Sequence, residues 1–259
     1  MSGGIHLEKA TAYHALCNDV AAYYQQTQIY HCGKKIISVG WCSDCQEINL
    51  WAYWQGRDHF NPKILLVGQD WGAPSDDPAI MDKIRQMNNG THILYMDHHA
   101  TSPTDKNLVK LFRQIGYSID TDDQHNQDLF FTNLILGYRD HGTSGSYQAK
   151  WLGPKDQSFF CRLVDILQPK VILCLGRSTF EGVMKSLKID YQKYKSFNAR
   201  ITAGAVQSQY GSLSLTIFPL AHCGSMGTMN RNRYCKDPQH SSDPLWLQKK
   251  DWALIKDAL

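Results

Sequence analysis

Four short, largely apolar runs punctuate the chain, at 63–68, 128–135, 170–176 and 213–219. Runs of this length without polar alternation predict strands buried on both faces of a sheet. Between them the apolar period changes to three and four. Leu108, Leu111, Phe112 and Ile115 share a helical face that Thr104 and Asp105 are placed to cap and Gly116 to stop. Phe159, Leu163, Ile166 and Leu167 share another face, closed by Pro169. Ser178 and Glu181 have capping-box spacing and open a third helix. Leu7, Ala10, Tyr13, His14, Cys17 and Val20 predict an N-terminal helix over 6–27, and Leu245, Trp246, Trp252 and Ile255 a final one over 244–259. The intervening 36–56 is rich in aromatics (Trp41, Trp51, Tyr53, Trp54) and reads as a short strand and a loop against the core.

Strands alternating with helices predict an α/β fold: a three-layer α/β/α sandwich with a central, mostly parallel, four-stranded sheet. No repeat, low-complexity tract or linker divides the sequence. The expected organisation is one domain over 1–259, with a helical and aromatic-rich N-terminal extension (about 1–60) packed on it.

Composition narrows this picture. With 42% hydrophobic and 20% charged residues, the 259-residue chain is no disordered tail and has ample volume for a core. Its apolar runs are far too short to span a membrane, and the N-terminus lacks the basic-then-apolar pattern of a signal peptide. An intracellular protein is expected, cytoplasmic or nucleoid-associated. The net charge of +3 permits a polyanionic partner without requiring one. The 8 cysteines are read as reduced thiols, and only Cys42 and Cys45 form a CxxC pair, which is half of a metal site or nothing.

Ligands of an open parallel sheet bind beyond the carboxyl ends of its strands. Here those exits carry Gly68, Gln69, Asp70 and Trp71; then Asn133; then Gly176 and Arg177; then His222 and a loop with glycines and arginines. Each residue has a plainer structural use. Asp70 suits a turn cap, Asn133 a loop backbone group, His222 an interior hydrogen bond, and 230–233 a solvated face. Their common sheet edge is what singles them out.

In order and spacing these motifs resemble the uracil-DNA glycosylase superfamily. The resemblance covers about 42–233. It rests on Val67, Gly68, Gln69 and Asp70; on Thr132 and Asn133; on the run from Pro169 to Gly176; and on His222 with the loop through Met226. It implies a glycosylase of base-excision repair that removes uracil or a related deaminated base from DNA. In those roles Asp70 positions the attacking water, Asn133 reads the flipped base through its amide, and His222 stabilises the leaving base. Gly68, Gln69 and Trp71 line the substrate. Ser225, Met226 and Met229 belong to the loop that enters the duplex, and Arg231 and Arg233 contact phosphates. The residue types suit the chemistry, because positive charge develops on the sugar and negative charge on the base. Extrusion of the base costs on the order of a few kcal/mol, which a wedge side chain helps offset.

The sequence departs from the superfamily pattern after Asp70. Trp71, Gly72 and Ala73 stand where the uracil-specific members have proline, tyrosine and histidine, so base selectivity stays open, and Trp71 reads as a substitute wall or as core. Tyr95, His98 and His99 lie in the interval expected for the base-stacking aromatic. The chemistry requires no cofactor. Some superfamily members carry an iron–sulfur cluster on four cysteines. Cys42, Cys45 and Cys161 occupy three of those positions and Gly137 the remaining one, with Cys32 available to complete a cluster or zinc set. Two rivals stand beside the glycosylase: a non-catalytic member binding damaged or single-stranded DNA, and a nucleoside or nucleotide hydrolase on the same fold.

Overall fold

Strand β3 (Ile64–Gly68) is apolar throughout because both of its faces are covered. Leu65 and Val67 enter one buried cluster, Ile64 and Leu66 another. A computed structural model of the chain describes residues 2–32, 35–42, 60–72, 78, 82, 102–121, 124–139, 151–233 and 242–259.

The other three apolar runs become β4 (Leu129–Asn133), β6 (Val171–Leu175) and β8 (Leu213–Leu220). β4 and β6 flank β3 in parallel, and β8 lies parallel beyond β6. A fifth strand, β7 (Val206–Tyr210), closes the row antiparallel to β8, giving the order β4-β3-β6-β8-β7. The sheet therefore has one strand more than the apolar runs predict. β7 alternates half-buried Val206, Ser208 and Tyr210 with exposed Gln207 and Gln209, the pattern of an edge strand covered on one face only. A second, antiparallel sheet joins β1 (Gln28–Cys32), β2 (Lys35–Gly40) and β5 (Tyr138–Arg139). Tyr138 also bridges to Trp71, which ties β5 to the exit of β3. The architecture is α/β, with a mostly parallel five-stranded sheet and a smaller antiparallel one.

Helices α1 (Ser2–Gln25), α3 (Pro154–Leu167) and α4 (Arg177–Ser186) contribute Leu16, Phe160 and Val183 to the cluster holding Leu65. Helices α2 (Pro103–Gln114) and α7 (Trp246–Ala253) contribute Phe112 and Trp252 to the cluster holding Leu66. Each such fully buried side chain is worth about 1.5–3 kcal/mol of transfer free energy. The short α5 (Phe197–Thr202) and α6 (Ser225–Asn232) lie farther along the chain. None of the described helices is long and apolar enough to cross a membrane.

Two helix starts differ from expectation. α2 is capped by Ser102, whose Oγ accepts the Asp105 N–H at 3.1 Å. Pro103, with no N–H to lose, occupies the first turn ahead of Thr104. α4 begins at Arg177 rather than at a Ser178 capping box. Its cap, Gly176, has φ +96°, a conformation that favours glycine, and its N–H reaches across to the Leu220 carbonyl at 2.8 Å. The exits of β6 and β8 are thereby fastened together. Trp51, Tyr53 and Trp54 lie outside the described residues.

A buried carboxylate ties the N-terminal elements to this frame. Asp156, in the first turn of α3, accepts the Tyr24 hydroxyl at 2.5 Å, the Tyr30 hydroxyl at 3.0 and 3.1 Å, and the Gly153 N–H at 3.1 Å. Burial pushes its carboxyl upward, against the pull of those donors. Asp156→Ala leaves the donors without this acceptor and is expected to lower stability by about 3 kcal/mol or more. A urea midpoint unchanged from wild type would refute this clamp.

Candidate active site

Because β4, β3, β6 and β8 run parallel, their carboxyl ends share one edge. Asn133, Gly68, Gly176 and Leu220 end or follow neighbouring strands in that order. Strands about 4.8 Å apart place the β3 and β8 exits about 10 Å from each other at the backbone. The sheet thus brings Asp70 and His222, distant in sequence, to one edge two strands apart.

Gly68 and Asn133 are register partners, and the Asn133 side chain folds over the glycine. A Cβ at position 68 would lie 2.0 Å from Asn133 Oδ1. Asn133 is 3% exposed, and its amide has no hydrogen-bond partner within the protein among the described residues. Both amide atoms keep some solvent contact, so the amide is open to a ligand rather than sealed in the core. Phe131, two residues back on the same strand face, lies half-buried beside Gly68 and its ring meets Trp71 at 5.7 Å. Trp71 also meets Tyr138 at 6.1 Å and packs against both apolar clusters, so it is a wall built into the core.

Asp70 is not a lone carboxylate. It is ion-paired with Arg139 of β5, whose side chain is 3% exposed. Gln69 Nε2 donates to the other carboxylate oxygen at 3.1 Å, so the Gln69 side chain turns to Asp70. Burial pushes the Asp70 carboxyl upward, while the Arg139 charge and these hydrogen bonds pull it down. Each carboxylate oxygen has two acceptor positions, so each retains one for a water. Arg139 escaped the sequence reading because an arginine on a two-residue strand carries no periodic signal. The backbone brings it there: its N–H donates to the Trp71 carbonyl at 3.2 Å.

His222 follows β8. Its Nδ1 accepts the Gly224 N–H at 3.0 Å, so the neutral ring carries its proton on Nε2 and presents a donor there. The ring keeps an exposed edge, yet the protein crowding it pushes its pKa below the ordinary 6.5. The loop is held from behind. Asn107 of α2 donates to the Cys223 carbonyl at 2.7 Å, and Gln248 of α7 to the Ala221 and His222 carbonyls, each at 3.3 Å. Cys223 is fully buried, and burial pushes its thiol well up. Gly227 is close-packed, since a Cβ there would lie 2.0 Å from the His222 carbonyl oxygen.

The segment beyond His222 is a helix from Ser225 onward, where the sequence reading expected a loop. Ser225 is exposed, and Met226 and Met229 project from one helical face at 65% and 61% exposure. Arg231 departs from its expected place at phosphates. It is turned inward, with Nε and Nη2 donating to Asp251 at 2.7 and 2.8 Å, and so clamps α6 to α7. Arg233 is exposed.

Among the described residues the cysteines do not assemble a ligand set. The Cys161 thiol donates to the Ser186 carbonyl at 3.1 Å, and burial pushes its pKa up. Cys42 is half-buried, Cys45 lies outside the described residues, and so does the Cys32 side chain. No group of three metal-ligating side chains occurs among the described residues. At Gly137 a Cβ would meet Val39 at 2.5 Å and Tyr24 at 2.7 Å, so α1 and β2 fill the place where the third cysteine would stand. A four-cysteine set using that position does not fit this packing. Tyr95, His98 and His99 lie outside the described residues.

Compared with known proteins, the sequence matches no protein-family model and no curated protein.

Proposed function

We propose that the chain is a DNA glycosylase that hydrolyses the N-glycosidic bond of uracil or a related deaminated base, on a three-layer sandwich of the uracil-DNA glycosylase type. The observation that carries the reading is the open Asn133 amide at the same sheet edge as a hydrogen-bonded carboxylate and a neutral histidine. In this reading DNA is the partner and no cofactor takes part. The extruded base enters between Asn133 and His222. The Asn133 amide offers a donor and an acceptor to its edge, and Phe131 supplies an apolar aromatic face beside it. His222 Nε2–H donates to the base oxygen as negative charge develops there. Asp70, ion-paired with Arg139, stabilises the sugar cation and aligns water for attack on the anomeric carbon. Met226 and Met229 fill the stack behind the extruded base, and Arg233 meets a phosphate.

The Asp70–Arg139 ion pair also supports a second reading, a non-catalytic DNA-binding member, because the arginine partly neutralises the carboxylate. An excision panel separates the two. Oligonucleotides with uracil, hypoxanthine, xanthine or thymine at one position, single- and double-stranded, are incubated with the protein and the abasic sites cleaved. Strand breaks at a deaminated base support the glycosylase; binding without breaks in any arm supports the second reading.

His222→Ala is expected to slow single-turnover excision by about 10²–10³-fold. In the wild type any loss of rate from protonation of this ring should be centred below 6.5, because the protein crowding the ring disfavours its charged form. A protonation-dependent loss centred above 6.5 would contradict the neutral-donor role.

A further inference from the structure

The exit of β6 opens onto a second cleft that the glycosylase chemistry leaves unused. It has a volume of about 420 Å³ and lies between α4 and the segment leading into α5. Its lining includes four cations, Arg177, Lys193, Lys195 and Arg200, and two tyrosines, Tyr191 and Tyr194. Glu181 is the one carboxylate among the lining residues, and it stands 3.9 Å from Arg177.

Arg200 is the informative member. It is 7% exposed, yet no carboxylate pairs with it among the described residues. Its guanidinium lies 4.7 Å over the Tyr194 ring and donates to the Gly204 carbonyl at 2.7 Å, while Nε is buried without an acceptor. A buried guanidinium is ordinarily matched by an anion. Here the missing charge points to a ligand. Tyr194 is 36% exposed, so one side of its ring backs the arginine while the residue still meets solvent. Cations beside an exposed aromatic ring are the combination that holds a single nucleic-acid strand, phosphates on the charges and a base on the ring.

The cleft is joined to the candidate active site. Asn198 of α5 donates to the Asn230 carbonyl of α6 at 2.9 Å. The N-terminal end of α6 adjoins His222, and its 8 residues span about 12 Å. Arg177 on the rim follows Gly176, which is bonded to the β8 exit.

We propose that this cleft binds an undamaged, single-stranded segment of nucleic acid next to the base being processed, with a phosphodiester on Arg200 and a base stacked on Tyr194. The inference extends the glycosylase reading but does not depend on excision.

The test is fluorescence anisotropy of the full chain with a labelled twelve-thymidine oligonucleotide, titrated across salt concentration. Tyr194→Ala is expected to weaken binding about tenfold. The paired Lys193→Glu, Lys195→Glu variant should weaken it more than tenfold and flatten the salt dependence, by about 0.7 in log–log slope for each phosphate no longer neutralised. Arg200→Met should do the same; should it fail to fold, the two surface variants decide alone. Wild-type affinity and salt slope in both surface variants would overturn the proposal, as would inorganic phosphate binding in the cleft with no oligonucleotide binding. Excision by the wild type is read separately. Loss of strand binding in the variants of a protein that excises nothing keeps this inference and removes the glycosylase reading. Unchanged binding in the variants of a protein that does excise keeps the glycosylase reading and removes this inference.

Discussion

Asp70→Asn is expected to lower single-turnover excision by about 10²–10⁴-fold while leaving DNA binding in place. The reason is electrostatic. Asparagine keeps the shape and the contact with Gln69 but removes the charge that, in the proposed reaction, faces the sugar cation. The same change uncovers Arg139, which is nearly fully buried. Stranding one member of a buried pair costs about 3–5 kcal/mol, so Asp70→Asn and Arg139→Met should each lower the urea midpoint. The double variant should regain most of that stability and none of the activity, because both charges leave together. Arg139→Met alone carries a further signature. Arg139 pulls the Asp70 carboxyl down against burial, so without it the carboxyl rises and protonates at higher pH. Its acid limb of activity should therefore move to higher pH than in the wild type. Wild-type excision in Asp70→Asn would remove the carboxylate from the chemistry. An unmoved acid limb in Arg139→Met would remove the arginine's positioning role.

Gly68→Ala should separate activity from stability. The added Cβ would lie 2.0 Å from Asn133 Oδ1 and 3.2 Å from its Cγ, with Phe131 at 3.4 Å. Oδ1 is the end of a rotatable side chain, so the clash is relieved by turning the amide away rather than by moving the strand. Unfolding free energy should change by no more than about 1 kcal/mol, within the usual range for a single substitution. Excision should fall by about 10²-fold or more, as when a positioned donor is removed from a transition state. Measured together, the single-turnover rate and the urea curve decide it. Full activity in Gly68→Ala would show that Asn133 does not read the base.

Both predictions depend on how much can be read from residues alone. The four buried parallel strands are legible because strands covered on both faces are apolar along their whole length. The order of elements then places Asp70, Asn133 and His222 at one edge, since parallel strands all exit on the same side. β7 escapes for the converse reason: an edge strand with exposed Gln207 and Gln209 leaves no apolar run. The partners of the site are not legible either. Arg139, Asn107 and Gln248 meet Asp70 and the histidine loop across long sequence separations, and no period encodes such contacts. Arg231 shows the opposite failure. An arginine in a glycine-bearing loop reads as a phosphate contact, but that segment is a helix whose inward face meets Asp251.

The sequence by itself determined the four buried parallel strands, most of the helices, and which residue types reach the sheet's carboxyl edge. Burial and hydrophobic period are local, additive properties that the order of residues records directly. Only the tertiary structure decided the state of those residues: Asp70 paired, Asn133 open, His222 accepting a backbone N–H at Nδ1, Arg231 turned inside and Arg200 buried with no carboxylate beside it among the described residues. Charge, tautomer and hydrogen-bond satisfaction depend on which distant groups are brought within about 3 Å, and that follows from packing rather than from any spacing along the chain.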